Sequence, residues 1–172
     1  QWPDEDMPGI DYIIPNVEYL KPRRKNIRGI VITHGHYDHI GAIPHLLDPL
    51  GNPPIFATAL TRGMILKRQE EFPHAPKPRI EVITPESRVD LGNFKVEFFH
   101  VNHNIPDSVG VVLNTPVGTV VHTGDFKYHT PVNERPADVA RLSDLGRKGV
   151  MLLVSDSTDA EMHGHQISET DV

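Results

Sequence analysis

Six consecutive residues of this sequence concentrate side chains that bind metal ions. The segment His34-Gly35-His36-Tyr37-Asp38-His39 carries three imidazoles and one carboxylate in a single bend. Side chains two residues apart in an extended loop point the same way and lie ~6–7 Å apart, so His34 and His36 can reach one ion. Asp38 and His39 turn towards a second ion. The spacing therefore predicts one loop that serves two metal sites.

The alternative for this segment is a histidine-rich surface loop that binds no metal. From the composition, 11 histidines in 172 residues, the pattern is expected by chance in about 0.3% of such chains. Three imidazoles and a carboxylate also gain little from proximity unless a cation shares them. Metal binding is the simpler account, and because the chain has no cysteine, only nitrogen and oxygen ligands are available.

Two metal ions need more ligands than one loop supplies. Further ligands are expected at the ends of buried strands, where the backbone is stiff and the side chain emerges at one rim. His103 follows the apolar run 94–101, and Asp125 follows the run 119–122. Each residue alone is typical of an ordinary turn, but together with the first loop they become candidate ligands.

Short apolar runs separated by many prolines and glycines surround these candidates, and they predict an α/β layered fold. The predicted strands are 10–14, 30–32, 55–57, 80–82, 94–101, 109–113, 119–122 and, as a buried strand, 150–154. The predicted helices are 41–50, 58–72 and 138–147.

Charge and hydropathy narrow the class of protein. The formal net charge is −6 and the pI is about 6.0, which argues against a surface that holds nucleic acid by bulk positive charge. No apolar run reaches the ~18–20 residues that cross a bilayer, and the first residues show no signal-peptide pattern. We therefore expect no membrane association and a cytoplasmic location.

Four segments resemble the successive motifs of the metallo-β-lactamase superfamily, and most closely the ribonuclease J family of its β-CASP branch. They are T-H-G-H-Y-D-H-I-G-A-I-P (33–44), N-H-N-I-P-D-S (102–108), H-T-G-D-F-K (122–127) and S-D-S-T-D-A (155–160). The resemblance implies a metallo-β-lactamase fold, a β-sheet sandwich flanked by helices, incomplete at both ends. It implies a partial metallo-β-lactamase domain over 1–154, and at 155–172 the start of a connection to a β-CASP domain.

The resemblance also implies roles for the candidate ligands. It assigns His34, His36 and His103 to the first zinc ion. It assigns Asp38 and His39 to the second zinc ion, and Asp125 is the carboxylate that bridges the two ions. Manganese or magnesium could replace zinc. Asp38 and His39 are the expected catalytic residues, with Asp38 orienting a water that the two ions activate.

Three further residues are expected to support these ligands. Asp107 and Ser108 would hold the His103 loop by hydrogen bonds. Asp156, at the end of the last predicted strand, would either buttress a ligand histidine or cap the next turn.

The implied activity is hydrolysis of RNA phosphodiesters, as an endonuclease, a 5′-to-3′ exonuclease or both. RNA is the expected substrate, and the full-length protein is expected to form a homo-oligomer, a dimer or a tetramer. Family members carry a further zinc histidine and a phosphate-holding motif later in the chain, so we expect this segment to be weakly active or inactive alone.

Two alternatives remain open. One is another hydrolase of the superfamily, such as a glyoxalase II-like thioesterase or a β-lactamase; His39 argues against the class B β-lactamases, and Asp125-Phe126-Lys127 favours a nuclease over a thioesterase. The other is a non-catalytic scaffold that keeps a structural metal. All six expected ligands are present, which favours an enzyme.

Overall fold

The structure, a computed structural model, describes residues 7–127 and 135–164. The chain divides into two compact units, Gln1–Val82 and Ile83–Val172, and each unit contains its own sheet. Residues 165–172 of the predicted connection, and residues 1–6, lie outside the described ranges.

A three-stranded parallel sheet organises the first unit. Its strands, in spatial order, are β1 (Ile30–Val31), β2 (Ile55–Ala57) and β3 (Ile80–Val82). Parallel neighbours need a crossover, and helices provide it between consecutive strands. These helices are α1 (Tyr37–Ile40), α2 (Ile43–Leu46) and α3 (Ala59–Gln69). The central strand β2 is buried at every position, which matches its uninterrupted apolar sequence.

Apolar side chains from the strands and helices form the core of this unit. Helix α3 buries Thr61, Ile65 and Arg68, which share one face because they are spaced by four and three residues. The core cluster consists of Ile32, Ile40, Ile43, Leu47, Ile55, Ala57 and Ile65. The core therefore lies directly behind the segment that follows β1 and carries His34.

Three sequence predictions for this unit need correction. The 10–14 run forms no strand; it is irregular and its apolar residues are exposed. The predicted helix 41–50 is reduced to the four residues of α2, followed by turns. The helical spacing of Leu60, Met64, Ile65 and Arg68 predicts that Leu60 lies on the buried face of α3, but Leu60 is 45% exposed because the neighbouring position Thr61 faces the core instead.

The second unit contains a five-stranded sheet in sequential order. Its strands are β4 (Arg88–Leu91), β5 (Phe94–His100), β6 (Val109–Thr115), β7 (Gly118–His122) and β8 (Leu152–Val154). The first four strands pair antiparallel, as expected for a meander, and β8 pairs parallel with β7. Helix α4 (Val139–Lys148) lies between β7 and β8 in sequence, and Asp138 caps it by accepting a hydrogen bond from Arg141 N.

Burial in this unit is concentrated on β5, β6 and β7. Phe99, Val101, Val112 and Val121 form a core cluster against which residues of α4 pack. Strand β8 was predicted to be buried, and that prediction is wrong: Leu152, Leu153 and Val154 are 52%, 60% and 39% exposed. Strand β8 lies at the edge of the described sheet, and all three of its residues are exposed. The described residues contain no helix long and apolar enough to span a membrane.

Candidate metal-binding site

The segment 33–39, called the metal loop below, follows strand β1 and begins inside the first unit. His34 is fully buried, and its Nδ1 lies 3.0 Å from Thr33 Oγ1. A hydrogen bond from Nδ1–H to this hydroxyl leaves the lone pair of Nε2 available as a ligand. The same Nε2 lies 3.0 Å from Nδ1 of His36.

This separation suits two ligands of one ion. With Zn–N bonds of ~2.0–2.1 Å in tetrahedral geometry, two ligand nitrogens lie about 3.3–3.4 Å apart. The 3.0 Å between His34 Nε2 and His36 Nδ1 is within a few tenths of an ångström of that value. The pair can therefore bind a divalent ion with a small adjustment of either ring.

Asp38 and His39 lie in the single turn of α1 that closes the metal loop. The ring centroids of His39 and His34 are 4.1 Å apart, so three imidazoles of this unit are neighbours. His39 Nε2 and Asp38 Oδ2 are 3.5 Å apart, with side chains 29% and 72% exposed. Asp38 is thus the member of the group that faces solvent most.

The glycine of the metal loop is required by packing. A Cβ on Gly35 would lie 2.4 Å from Met64 Sδ of helix α3, much closer than van der Waals contact. The absence of a side chain at Gly35 therefore lets the loop approach α3.

His103 and Asp125 lie in the second unit on two loops that are joined by backbone pairing. Asn102 and Lys127 form an antiparallel bridge, and Lys127 N donates to Asn102 O at 2.7 Å. His103 Nε2 and Asp125 Oδ2 lie 3.8 Å apart, with side chains 12% and 27% exposed. The two residues predicted from strand ends are therefore neighbours in this unit.

The loop that carries His103 is fastened at its far end by Ser108. The Ser108 hydroxyl is fully buried and donates to Ile105 O at 2.6 Å, and Ser108 O accepts from Val101 N at 3.2 Å. Asp107 lies in the same loop and is partly buried. These contacts close the loop on itself and reduce the freedom of His103.

Asp156 organises the turn after β8. Its Oδ1 accepts from Thr158 N at 2.9 Å and from Thr158 Oγ1 at 2.7 Å. Partial burial acts to raise the pKa of Asp156, but hydrogen bonds from Thr158 and from the backbone of Phe126 and Ser157 hold it below its ordinary value. The contact with Phe126 ties this turn to the residue next to Asp125.

Two residues near the site were not identified from the sequence. Thr33 contacts His34, and Asn102 is 2% exposed and donates from Nδ2 to Arg135 O at 2.9 Å. Both stand next to a predicted ligand and end a strand-like run, which is the only signal that could have indicated them.

Each unit therefore presents candidate metal ligands. They are His34 and His36 in the first unit and His103 and Asp125 in the second. Imidazole and carboxylate donors suit zinc and other borderline divalent ions, and they do not suit metals that require thiolates. The chemistry of these donors suggests a metal site, and the gathering of all six expected ligands around two ions stays a prediction.

Comparison with known proteins agrees with the sequence motifs. Residues 8–163 match the beta-lactamase superfamily domain. Ribonuclease J of Thermus thermophilus is 41% identical over 178 residues, covering 99% of this chain and 31% of the relative. Ribonuclease J 1 of Streptococcus pyogenes serotype M3 is 42% identical over 163 residues, covering 94% of this chain and 29% of the relative. The chain spans less than a third of the length of these two relatives.

Solved structures support the fold. A crystal structure of a protein of unknown function from Enterococcus faecalis V583 has a TM-score of 0.58 with 17% identity, covering 82% of this chain and 34% of that one. The similarity to ribonuclease J and the α/β class of the metallo-β-lactamase fold, both expected from the motifs, are thus confirmed. The chain belongs to the beta-lactamase superfamily.

Proposed function

We propose that this chain contributes the metal-binding loops of a metal-dependent ribonuclease that hydrolyses RNA phosphodiesters. The observation that carries the proposal is the convergence of His34 Nε2 and His36 Nδ1 to 3.0 Å in the metal loop. Relatives named ribonuclease J are 41% and 42% identical to the chain, which supports RNA as the substrate.

The proposed site holds two zinc ions. His34, His36 and His103 would hold the first ion, Asp38 and His39 would hold the second, and Asp125 would contribute its carboxylate to both. Thr33 Oγ1 contacts the buried imidazole of His34, and Ser108 closes the loop of His103, so local contacts restrain each of these two side chains separately. Manganese and magnesium are the alternatives to zinc.

The proposed reaction is an in-line displacement at phosphorus, in which the residues of the site have separate roles. Two bound divalent cations would supply Lewis acidity, which lowers the pKa of water and offsets the negative charge that accumulates on the attacked phosphate. The exposed carboxylate of Asp38 accepts a hydrogen bond from the attacking water and fixes its direction. His39 Nε2 lies 3.5 Å from that carboxylate, so the two side chains are neighbours in the proposed site.

The first test is metal binding by the chain itself. After chelation and dialysis, zinc titration followed by elemental analysis should show that the chain binds zinc, and zinc should raise the melting temperature. His34→Ala and His103→Ala should each lower the stoichiometry. His74→Ala is the matched control, because His74 is an exposed histidine of the first unit outside the metal loop. Equal zinc binding by His34→Ala and His74→Ala would contradict the proposed site.

The second test is hydrolysis. Single-stranded RNA with a 5′-monophosphate, S-lactoylglutathione and a cephalosporin are offered to the chain and to a chimera in which the chain replaces the matching segment of Thermus thermophilus ribonuclease J. RNA should be cleaved by the chimera, and the cleavage should be lost in His34→Ala. A folded, zinc-loaded chimera that leaves RNA intact, or that prefers the thioester, would refute the assignment.

Three finer expectations belong to the same proposal. End-labelled RNA distinguishes internal cleavage from 5′-to-3′ trimming by product length. Light scattering measures whether the protein is a dimer or a tetramer. Fractionation of cells measures whether it is cytoplasmic.

A further inference from the structure

A cavity of about 740 Å³ lies within the first unit, beside the metal loop. Its wall includes Tyr12, Tyr37, Asp38, His45 and Arg68. This volume falls within the ~300–1,000 Å³ typical of small-molecule sites. Tyr37 and Asp38 belong to α1, so one wall of the cavity is part of the metal loop itself.

Arg68 of helix α3 is held among aromatic rings. Its side chain is 3% exposed, and its guanidinium carbon lies 5.5 Å from the ring centroid of Tyr12 and 4.7 Å from that of Tyr37. Glu71 accepts a hydrogen bond from Nη1, which balances the positive charge. Arg68 Nε is buried and has no hydrogen-bond partner among the described residues. One donor of a residue that lines the cavity is therefore left to be satisfied.

His45, which also lines the cavity, has a second buried polar atom without a hydrogen-bond partner among the described residues. Its ring lies 5.4 Å from the ring of Tyr12, and its Nε2 is buried without a hydrogen-bond partner among the described residues. Buried polar atoms are nearly always paired in folded proteins, so two unpaired atoms in residues that line one cavity support a polar ligand there, which would reach them after a small shift of either side chain. Depending on its tautomer, His45 Nε2 either donates or accepts.

The residues of the cavity wall indicate which chemical groups the ligand carries. Tyr12 and Tyr37 are 41% and 45% exposed, so ring surface is available for a planar group to contact. An anion is disfavoured, because Glu71 neutralises Arg68 and the Asp38 carboxylate also lies on the wall. A flat heteroaromatic ring with hydrogen-bonding atoms at its edge satisfies both the aromatic and the polar features.

We propose that this cavity is a nucleobase subsite, in which a base stacks on Tyr12 and Tyr37 and its edge pairs with Arg68 Nε and His45 Nε2. The inference rests on the proposed function in taking the base to be part of an RNA substrate. Since the subsite adjoins the metal loop, it would hold a base of the nucleotide chain close to the proposed metal ligands.

The test measures binding in EDTA, where neither metal nor hydrolysis contributes. Uridine and adenosine monophosphates are titrated into the 172-residue chain and followed by tyrosine fluorescence and by the Nε–H resonance of Arg68. Ribose 5-phosphate, which lacks the base, is the matched ligand. We expect the monophosphates to bind and to shift the Arg68 resonance, and ribose 5-phosphate not to bind.

Variants locate the binding. Tyr12→Leu should weaken monophosphate binding by roughly 5- to 150-fold, as expected for loss of one base–aromatic stack. Tyr19→Leu is the matched control, because Tyr19 is 70% exposed and also contacts an arginine, Arg23, but does not line the cavity. Arg68→Lys keeps the charge and removes Nε, and should also weaken binding.

Each result separates this inference from the proposed function. Base-dependent binding that Tyr12→Leu weakens supports the subsite even if the chain never cleaves RNA. No monophosphate binding, equal binding of ribose 5-phosphate, or equal weakening by Tyr19→Leu overturns the subsite, and a metal-dependent ribonuclease activity would still stand.

Discussion

Gly110→Ala is predicted to destabilise the second unit strongly. Gly110 of β6 pairs across the sheet with Phe99 of β5, which is fully buried in the core. A Cβ built on Gly110 would lie 2.1, 2.4 and 2.6 Å from three atoms of the Phe99 ring. Carbon atoms in contact prefer ~3.5–4.0 Å, so the ring would have to retreat by about 1.4 Å or more.

The magnitude follows from this geometry. Overpacking of a close-packed core costs ~1–3 kcal/mol, and a displacement of a fully buried ring places Gly110→Ala near the upper value. For a chain of this size, ~3 kcal/mol corresponds to a fall in melting temperature of about 6–12 °C. Circular dichroism during thermal unfolding measures the fall, and urea unfolding measures the free energy.

Two further variants make the reasoning refutable. Gly63→Ala, in the interior of α3, meets no atom within 4 Å, so alanine should stabilise the chain by ~0.5–1 kcal/mol through its higher helix propensity. In a Phe99→Leu background the smaller side chain should make Gly110→Ala less costly, with a coupling of ~0.5–3 kcal/mol. A melting temperature unchanged by Gly110→Ala, or strictly additive effects in the double variant, would show that the contact with Phe99 does not limit this position.

Three other substitutions test contacts around the candidate sites. The folded-state pKa of Asp156 is lowered below the ordinary 3.8, so the ionised carboxylate stabilises the folded chain fully above that value, and this stabilisation is lost as the pH falls through the folded-state pKa. Asp156→Asn should therefore lower the melting temperature at neutral pH and leave it unchanged at strongly acidic pH. An equal fall in melting temperature at every pH would contradict this cause. Ser108→Ala removes a buried hydrogen bond to Ile105 O and should cost ~1 kcal/mol in urea unfolding, whereas no change would indicate that the loop is held otherwise. Glu71→Gln leaves the buried guanidinium of Arg68 without its carboxylate partner. Since Glu71 is 56% exposed and screened by water, we expect the free energy of unfolding to fall by only ~1 kcal/mol. An increase in the free energy of unfolding would show that the ion pair is unfavourable.

The sequence predicted the regular elements best where a continuous apolar run or a helical repeat defined them. The strands around residues 55, 80, 96, 111 and 120, and helices near α3 and α4, are present within a few residues of their predicted bounds. The apolar run 10–14 was misread because alternation and hydrophobicity alone do not show whether a strand has a partner. Strand β4 was missed because Arg88–Leu91 alternates charged and apolar residues over only four positions.

Local features of the candidate site were predictable because ligand types and strand ends are visible in the sequence. The closeness of His34 to His36, and of His103 to Asp125, was expected from such positions. The supporting contacts of Thr33 and Arg68 could not be predicted, since they depend on side-chain directions. The wall of the cavity beside the metal loop combines Tyr12 with residues far along the chain, and no local sequence pattern predicts that they are close in space.

Strand β8 has a practical consequence for every measurement on this chain. It lies at the rim of the described sheet with three apolar residues largely in contact with water, and its outer backbone groups pair with no described strand. Such a rim is a template on which a second molecule can add its own strand. We therefore expect concentrated samples to precipitate on heating, so variants should be compared in dilute solution, with reversibility checked by cooling.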